Sequence, residues 1–324
     1  MYYLRLRPYT LVKESIEMSI RNTLSCLSSC SLCPRECHID RLNGQIGSCG
    51  CGAKIKVSRA ALHMWEEPCI SGTRGSGAVF FSGCNLHCQY CQNASISQGK
   101  YGTEISDLRL SEIFLELQEQ GALNINLVTP TPYIPQIANS LIHAKHHGLS
   151  IPVISNCGGY ESVSALQIWD GLIDIYLPDF KYFDPRLSAQ MSGVSDYFEK
   201  AALALAEMVR QTGALAFSQD GALKKGVIVR HLMLPGHLFD TKKILTYLCQ
   251  TYGNTIYISL MNQYTPPKKK RAGVPDHPLR EDHYEKMTAY LMDLGQENAY
   301  IQEAGTVSES FIPAFDLTGI LPKD

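Results

Sequence analysis

The sequence predicts an α/β protein: a partial (β/α)6-type barrel preceded by a cysteine-rich metal-binding segment. Three observations carry this expectation. From Phe80 onwards, short β-type runs alternate repeatedly with helical runs. Runs such as Ile173-Asp174-Ile175-Tyr176-Leu177 are almost continuously apolar, which suits parallel strands covered by helices. Most of the 12 cysteines fall before residue 92, in short-spaced groups. A chain of 324 residues is too long for a small disulfide-stapled fold, so such spacing reads as metal ligation.

Composition bounds the partners. Hydrophobic content of 45% and charged content of 19% are those of an ordinary globular protein. A net charge of -2 gives no global attraction to nucleic acid or anionic membrane, so neither is expected as a partner. The first residues lack the apolar core of a signal peptide, and no stretch approaches the ~18 uninterrupted apolar residues of a spanning helix. A cytoplasmic protein is expected.

Taken in order, residues 10–27 carry apolar positions at helical spacing and predict one amphipathic helix. Then come Cys30, Cys33 and Cys37, with Cys49 beyond Gly44 and Gly47. C-x2-C-x3-C plus a fourth cysteine after a glycine-containing loop is metal-ligand spacing, and thiolates suit both zinc and an iron-sulfur cluster. Cys30, Cys33, Cys37 and Cys49 are the expected quartet, with Cys26 and Cys51 as spares; unligated loop cysteines are the bland alternative. Residues 55–68 read as a connection with a short strand at Ile55-Lys56-Val57, and Cys69 reads as a small hydrophobe.

The first barrel strand is Ala78-Val79-Phe80-Phe81, followed by Gly83-Cys84-Asn85-Leu86-His87-Cys88-Gln89-Tyr90-Cys91. Three thiolates at C-x3-C-x2-C can hold a 4Fe-4S cluster, which normally takes four, and leave one iron open to a small molecule. The rival readings are a zinc knuckle or three buried free cysteines. Further strands are expected over Asn124–Val128, Ile151–Ser155, Leu172–Leu177, Gly226–Met233 and Thr255–Leu260, with a short one at Ala299–Gln302. Helices are expected over Leu110–Gln120, Pro135–His147, Ser162–Trp169, Asp196–Gln211, Thr241–Tyr252 and Glu281–Leu294. In such a barrel functional groups sit at the carboxyl ends of strands. Polar residues do follow each strand: Thr129 and Thr131, Asn156-Cys157-Gly158-Gly159, Asp179 and Lys181, Arg230 and His231, then Asn262-Gln263-Tyr264.

These landmarks together resemble the radical S-adenosylmethionine (SAM) superfamily, in its PflX-like branch related to pyruvate formate-lyase activating enzymes. The resemblance runs from about Cys30 to Glu303. It rests on Cys-Ser-Leu-Cys-Pro-Arg-Glu-Cys at 30–37, the triad motif with Tyr90 at its aromatic position and Asn-Leu-Val-Thr-Pro-Thr at 126–131. Leu-Pro-Asp-Phe-Lys-Tyr at 177–182, Arg-His-Leu-Met-Leu-Pro-Gly at 230–236 and Ser-Leu-Met-Asn-Gln-Tyr at 259–264 complete it. The resemblance implies a radical SAM barrel over 78–305, after an N-terminal segment over 1–77 and before a tail over 306–324.

It further implies a 4Fe-4S cluster on Cys84, Cys88 and Cys91 that binds SAM, cleaves it reductively to a 5′-deoxyadenosyl radical and abstracts hydrogen from a substrate. A glycyl-radical enzyme or a peptide is the implied substrate, and a flavodoxin- or ferredoxin-type protein the implied electron donor. A small metabolite, peptide maturation, or a non-catalytic electron-transfer protein are the alternatives. Around the cofactors, Asp179 and Lys181 match an Asp-x-Lys element, with a buried ion pair as the rival. Arg230 suits a carboxylate or a structural pairing with Asp179. Asn156 and the following glycines would admit the adenosine, and Tyr90 would pack beside adenine or simply in the core. The usual Gly-Gly-Glu after the second strand is absent, so Thr129 and Thr131 must replace it. Cys157 is read as a buried hydrophobe or a thiol near the radical, and the Lys268–Arg271 run as a solvated loop or a docking site for an acidic partner.

Overall fold

The computed structural model describes residues 24–302 and 313–322. The helix expected over 10–27 lies almost wholly outside the described residues; within them Ser25–Ser29 form a single 3-10 turn. The tail expected over 306–324 is described only for 313–322. Residues 30–53 follow as turns and irregular chain.

The strands are β1 (Ile55–His63), β2 (Ser76–Phe81), β3 (Thr103–Ile105), β4 (Ile125–Val128), β5 (Val153–Cys157), β6 (Ile175–Pro178), β7 (Ala216–Phe217), β8 (Leu223–Leu232), β9 (Tyr257–Met261) and β10 (Ala299–Ile301). Between them lie α1 (Asp107–Glu119), α2 (Ile134–His146), α3 (Val163–Gln167), α4 (Pro185–Ser192), α5 (Tyr197–Thr212), α6 (Leu238–Tyr252) and α7 (Glu281–Asp293). All ten strands share one sheet, in the order β10-β9-β8-β6-β5-β4-β2-β1-β3, with β7 beside β8. From β2 to β10 every neighbouring pair on this path is parallel. The expected α/β barrel architecture is present as an open, partial barrel.

Local chemistry explains the elements. In α1, Leu110, Ile113, Phe114 and Leu117 recur at i, i+3, i+4 and i+7 and are buried as one stripe. The Ser106 hydroxyl accepts from Arg109 N–H at 3.1 Å and caps its start. The strands β2, β4 and β6 are buried along their whole lengths, as parallel strands covered on both faces must be.

Two expectations change. The short strand at 55–57 continues to His63 and pairs antiparallel with β2, so residues read as a connection form an inner strand. The boundary expected at 77/78 therefore falls inside β2, and the N-terminal segment and barrel share a sheet. Helix α4 was not foreseen: Asp184 caps it, Pro185 opens it and Gly193 in the left-handed region ends it after only eight residues. No helix among the described residues is long and apolar enough to cross a membrane.

Candidate active site

A cavity of about 480 Å³ opens where the parallel strands end. Its walls carry Cys84, Cys88, Tyr90 and Cys91 from the loop after β2, Thr129 after β4, and Asn156, Cys157 and Gly158 at the end of β5. Asp179 and Lys181 follow β6, Arg230 stands on β8 and Gln263 follows β9. The strand-end expectation thus gathers most of its residues around one cavity, whereas Thr131, Gly159, His231, Asn262 and Tyr264 line no part of it. Thr131 is 1% exposed and donates its hydroxyl to Glu161 Oε1 at 2.8 Å. Of the two threonines only Thr129 lines the cavity. Its backbone is held at φ +60, rare for a threonine and rarer before proline, with its N–H donated to Asn156 O at 2.8 Å.

The triad loop is clamped from two sides. Cys84 N–H donates to Cys49 O at 3.2 Å, while His87 and Gln89 N–H donate to Ser192 O and Met191 O at the end of α4, at 3.2 and 2.8 Å. All three cysteines are free. Burial, then mutual repulsion with Cys88, pushes the Cys91 thiol up to about 11 and holds Cys84 higher still. Lys181 acts against both shifts. Unligated, Cys84 and Cys91 would keep their protons, whereas a bound cluster would supply the positive charge that holds them as thiolates. Among the described residues no three His, Cys, Asp or Glu side chains form a ready-made site for one metal ion.

Tyr90 stands between the cavity and the core. Its ring lines the cavity yet packs in the core, 5.8 Å from the Tyr264 ring. Its hydroxyl bonds that of Tyr182 at 2.6 Å, Tyr182 bonds Ser192 Oγ at 2.6 Å, and Ser192 donates to Cys88 Sγ at 3.0 Å.

Lys181 Nζ lies 2.5 Å from Asp179 Oδ2. Burial opposes the ammonium charge, but Asp179 and Cys88 outweigh it and hold Lys181 well above its ordinary range. The Tyr197 hydroxyl lies within hydrogen-bonding distance of Gly158 O, Asp179 O and Lys181 N–H, and so ties the ends of β5 and β6 together. Gly159 makes that closeness possible: its φ is +77, and a Cβ there would lie 2.1 Å from Asp179 O.

Arg230 does not pair with the Asp179 carboxylate. Its guanidinium takes Glu67 at 2.8 Å through Nε and 2.5 Å through Nη2, and it also bonds Glu66. Glu66 in turn accepts from Asn126 Nδ2 at 2.8 Å. These two glutamates line the cavity and carried no motif; their only signal was an adjacent acidic pair before Pro68. His231, next to Arg230 on β8, points to the opposite face as strand alternation requires. It bonds Phe180 O at 2.7 Å and Thr241 Oγ1 at 3.0 Å beneath α6, away from the rim, and burial pushes it down to about 4. Behind the Cys157 wall, Glu161 is buried with Oε2 unpartnered. Burial raises its carboxyl to about 7.

The four cysteines of the expected N-terminal quartet lie near one another, though among the described residues they form no ready-made metal site. Burial raises Cys33 to about 12, and Cys49, Cys30 and Cys37 all stand close enough to add to that rise. A Cβ on Gly47 would lie 3.4 Å from Cys49 Sγ and 3.5 Å from Cys37 Sγ. Arg41, 1% exposed, reaches into this group: Nη1 bonds Pro132 O at 2.7 Å and points at Cys30 Sγ at 3.8 Å, while Nε bonds Gly52 O at 3.0 Å. The Cys51 thiol donates towards Cys49, and with Arg41 it pushes Cys49 below the usual thiol range, although burial opposes them. No carboxylate pairs with Arg41 among the described residues.

The basic run at 268–271 is an exposed loop beside the triad. Arg271 Nη1 bonds Gln89 Oε1 at 2.5 Å, and Lys270 pairs with Asp276 at 2.7 Å.

A family model described as a 4Fe-4S single cluster domain matches residues 71–146, a stretch that contains Cys84, Cys88 and Cys91. The chain is similar to uncharacterized protein MJ0674 of Methanocaldococcus jannaschii, 26% identical over 269 residues, 79% of this chain and 72% of that protein. Among solved structures, Streptococcus suis SuiB bound to S-adenosylmethionine aligns at 15% identity and TM-score 0.48, over 68% of this chain and 48% of that one. Methylornithine synthase (PylB) aligns at 12% identity and TM-score 0.47, over 88% and 70%. The FeFe-hydrogenase maturase HydG of Carboxydothermus hydrogenoformans aligns at 14% and 0.48, over 71% and 54%. The chain spans about half the length of SuiB and of HydG.

Proposed function

We propose that this chain is a radical SAM enzyme whose 4Fe-4S cluster sits on Cys84, Cys88 and Cys91 at the mouth of the strand-end cavity. The observation that carries the reading is the convergence of three thiols from one loop with Lys181, Asn156, Thr129 and the Gly158 backbone on a single cavity. Bound together, the cluster and SAM would supply one-electron cleavage of the sulfonium to methionine and a 5′-deoxyadenosyl radical. The chain's own residues do the rest. Three thiolates hold the cluster and leave one ligand position for SAM. Lys181, screened in part by Asp179, offers a cation to a carboxylate. Gly158 removes a side chain where a nucleoside would approach the backbone. Arg230 is engaged by Glu66 and Glu67 in this structure, so a carboxylate that used it would have to compete with them.

The reaction class we favour is hydrogen abstraction from a protein or peptide, of the glycyl-radical-activating type, with a flavodoxin- or ferredoxin-type donor meeting the basic loop beside Gln89. The N-terminal quartet, with Arg41 as its buried counter-charge, would hold a second metal, zinc or iron-sulfur. Anaerobic reconstitution with iron and sulfide, reduction by dithionite and addition of SAM should yield 5′-deoxyadenosine. None above background would remove the enzyme reading. Electron paramagnetic resonance with candidate glycyl-radical proteins should then show a protein-centred doublet; its absence with every candidate would leave a small metabolite or a maturing peptide as the substrate.

A further inference from the structure

We propose that Ser192, Tyr182 and Tyr90 form a directional hydrogen-bond chain that raises the reduction potential of the cluster on Cys84, Cys88 and Cys91. The proposal rests on the iron-sulfur reading above and adds a tuning device to it. The three hydroxyls are buried in sequence behind Cys88: Ser192 and Tyr182 are fully buried and Tyr90 is 9% exposed. Their spacings are 3.0 Å from Ser192 Oγ to Cys88 Sγ, then 2.6 Å and 2.6 Å outward to Tyr182 and Tyr90.

The direction follows from proton counting. A metal-bound thiolate has no proton to give, so Ser192 must donate to it. Ser192 then has none left for Tyr182 and must accept from it, and Tyr182 must accept from Tyr90 in the same way, since each hydroxyl carries one proton. Every O–H dipole therefore points its positive end towards the sulfur, and the bonds polarise one another. Gaining an electron makes the cluster more negative, so donors aimed at a ligand sulfur favour the reduced state. Helix α4 holds the donor in place. The backbone bonds from His87 to Ser192 and from Gln89 to Met191 grip the residues on either side of Cys88. The Ser97 hydroxyl also meets a triad sulfur, that of Cys91, but the Cys88 donor is the one backed by Tyr182 and Tyr90, so the relay acts on Cys88.

The test is an EPR-monitored potentiometric titration of the reconstituted protein without SAM, with iron and sulfide counted for each variant. Ser192→Ala should reduce at a more negative potential than the parent, Tyr182→Phe should shift the same way by less, and Tyr90→Phe by least. A packing role would not give this graded order. If Ser192→Ala loses its cluster, Ser192→Thr, which keeps the hydroxyl, should titrate near the parent while Tyr182→Phe is still shifted. A Tyr182→Phe curve that superimposes on the parent at full iron content overturns the proposal. If the unaltered protein takes up no cluster at all, it is the iron-sulfur reading that fails.

Discussion

Two cysteine groups lie back to back in this protein, and they are built in opposite ways. The triad faces a cavity of about 480 Å³, and its cation, Lys181, is already shared with Asp179. Beside the N-terminal quartet lies a buried arginine that meets the Cys30 sulfur and two carbonyls but, among the described residues, no carboxylate. An unpaired guanidinium in the interior is costly unless anions arrive to meet it. One group therefore keeps an open side on which a ligand can react, while the other is arranged to close around whatever neutralises it. Thiols alone do not make a reactive centre; the difference lies in what stands on their far side.

The sharpest way to break this comparison is to remove the two groups separately. Replacing Cys84, Cys88 and Cys91 together by alanine should abolish 5′-deoxyadenosine formation and remove the triad's iron, leaving metal at the quartet. Cys33→Ser with Cys37→Ser should do the reverse for metal. Elemental analysis of both proteins checks this, and loss of all metal from either one would show that the groups fill as a unit. Next in size is Arg41→Met. Taking the cation from a thiolate-metal centre should destabilise the metal-loaded protein by about 3 kcal/mol, read as a drop in thermal midpoint, and should matter much less after chelation.

Acid-base chemistry gives an effect of similar size on the cavity side. The Glu161 carboxyl stands at about 7 in the fold against 4.5 ordinarily. Its stabilising contribution is thus full below pH 4.5 and is lost as pH rises through 7, a change of roughly 3 kcal/mol. His231 works the other way: at about 4 in the fold against 6.5 ordinarily, its contribution is full above pH 6.5 and is lost as pH falls towards 4. Denaturant titrations of Glu161→Gln between pH 5 and 8 should show a flatter profile than the parent on the neutral side. The smallest effect is expected at the basic loop: Lys268→Ala with Lys269→Ala should slow reduction by an acidic protein donor a few-fold at low salt and leave dithionite reduction unchanged.

How much of this was legible in the sequence depended on distance along the chain. The triad, Asp179 with Lys181, and the strand ends that carry Thr129, Asn156 and Arg230 each announce themselves within a few residues, by ligand spacing or by the break from apolar run to polar turn. Glu66 and Glu67 do not, because the arginine they hold lies more than 160 residues away and no periodicity links them. The same applies to Ser192, whose tie to Cys88 spans 104 residues. It sits on a helix too short to show a stripe. Thr131 misled for the opposite reason: it stands two residues from Thr129 in a convincing motif, but the one-turn helix over Thr131–Tyr133 rotates its hydroxyl inward to Glu161. His231 misled because a strand shows its neighbours to opposite faces, and adjacency to Arg230 is then a reason to expect it elsewhere.

The contact between Gly83 and the N-terminal segment bears on how the chain can be dissected. A Cβ at Gly83 would lie 2.1 Å from Cys51 Sγ and 2.8 Å from Cys49 O, so the two backbones touch with no room for a side chain. A truncated chain beginning at β2 would not be a pared-down form of the same site. It would leave Cys84 N–H without its acceptor, lay the back of the triad loop open to solvent and oxygen, and strip β2 of its antiparallel neighbour. The cysteine-rich segment is the rear wall of the triad loop, and any minimal version of this protein has to carry it.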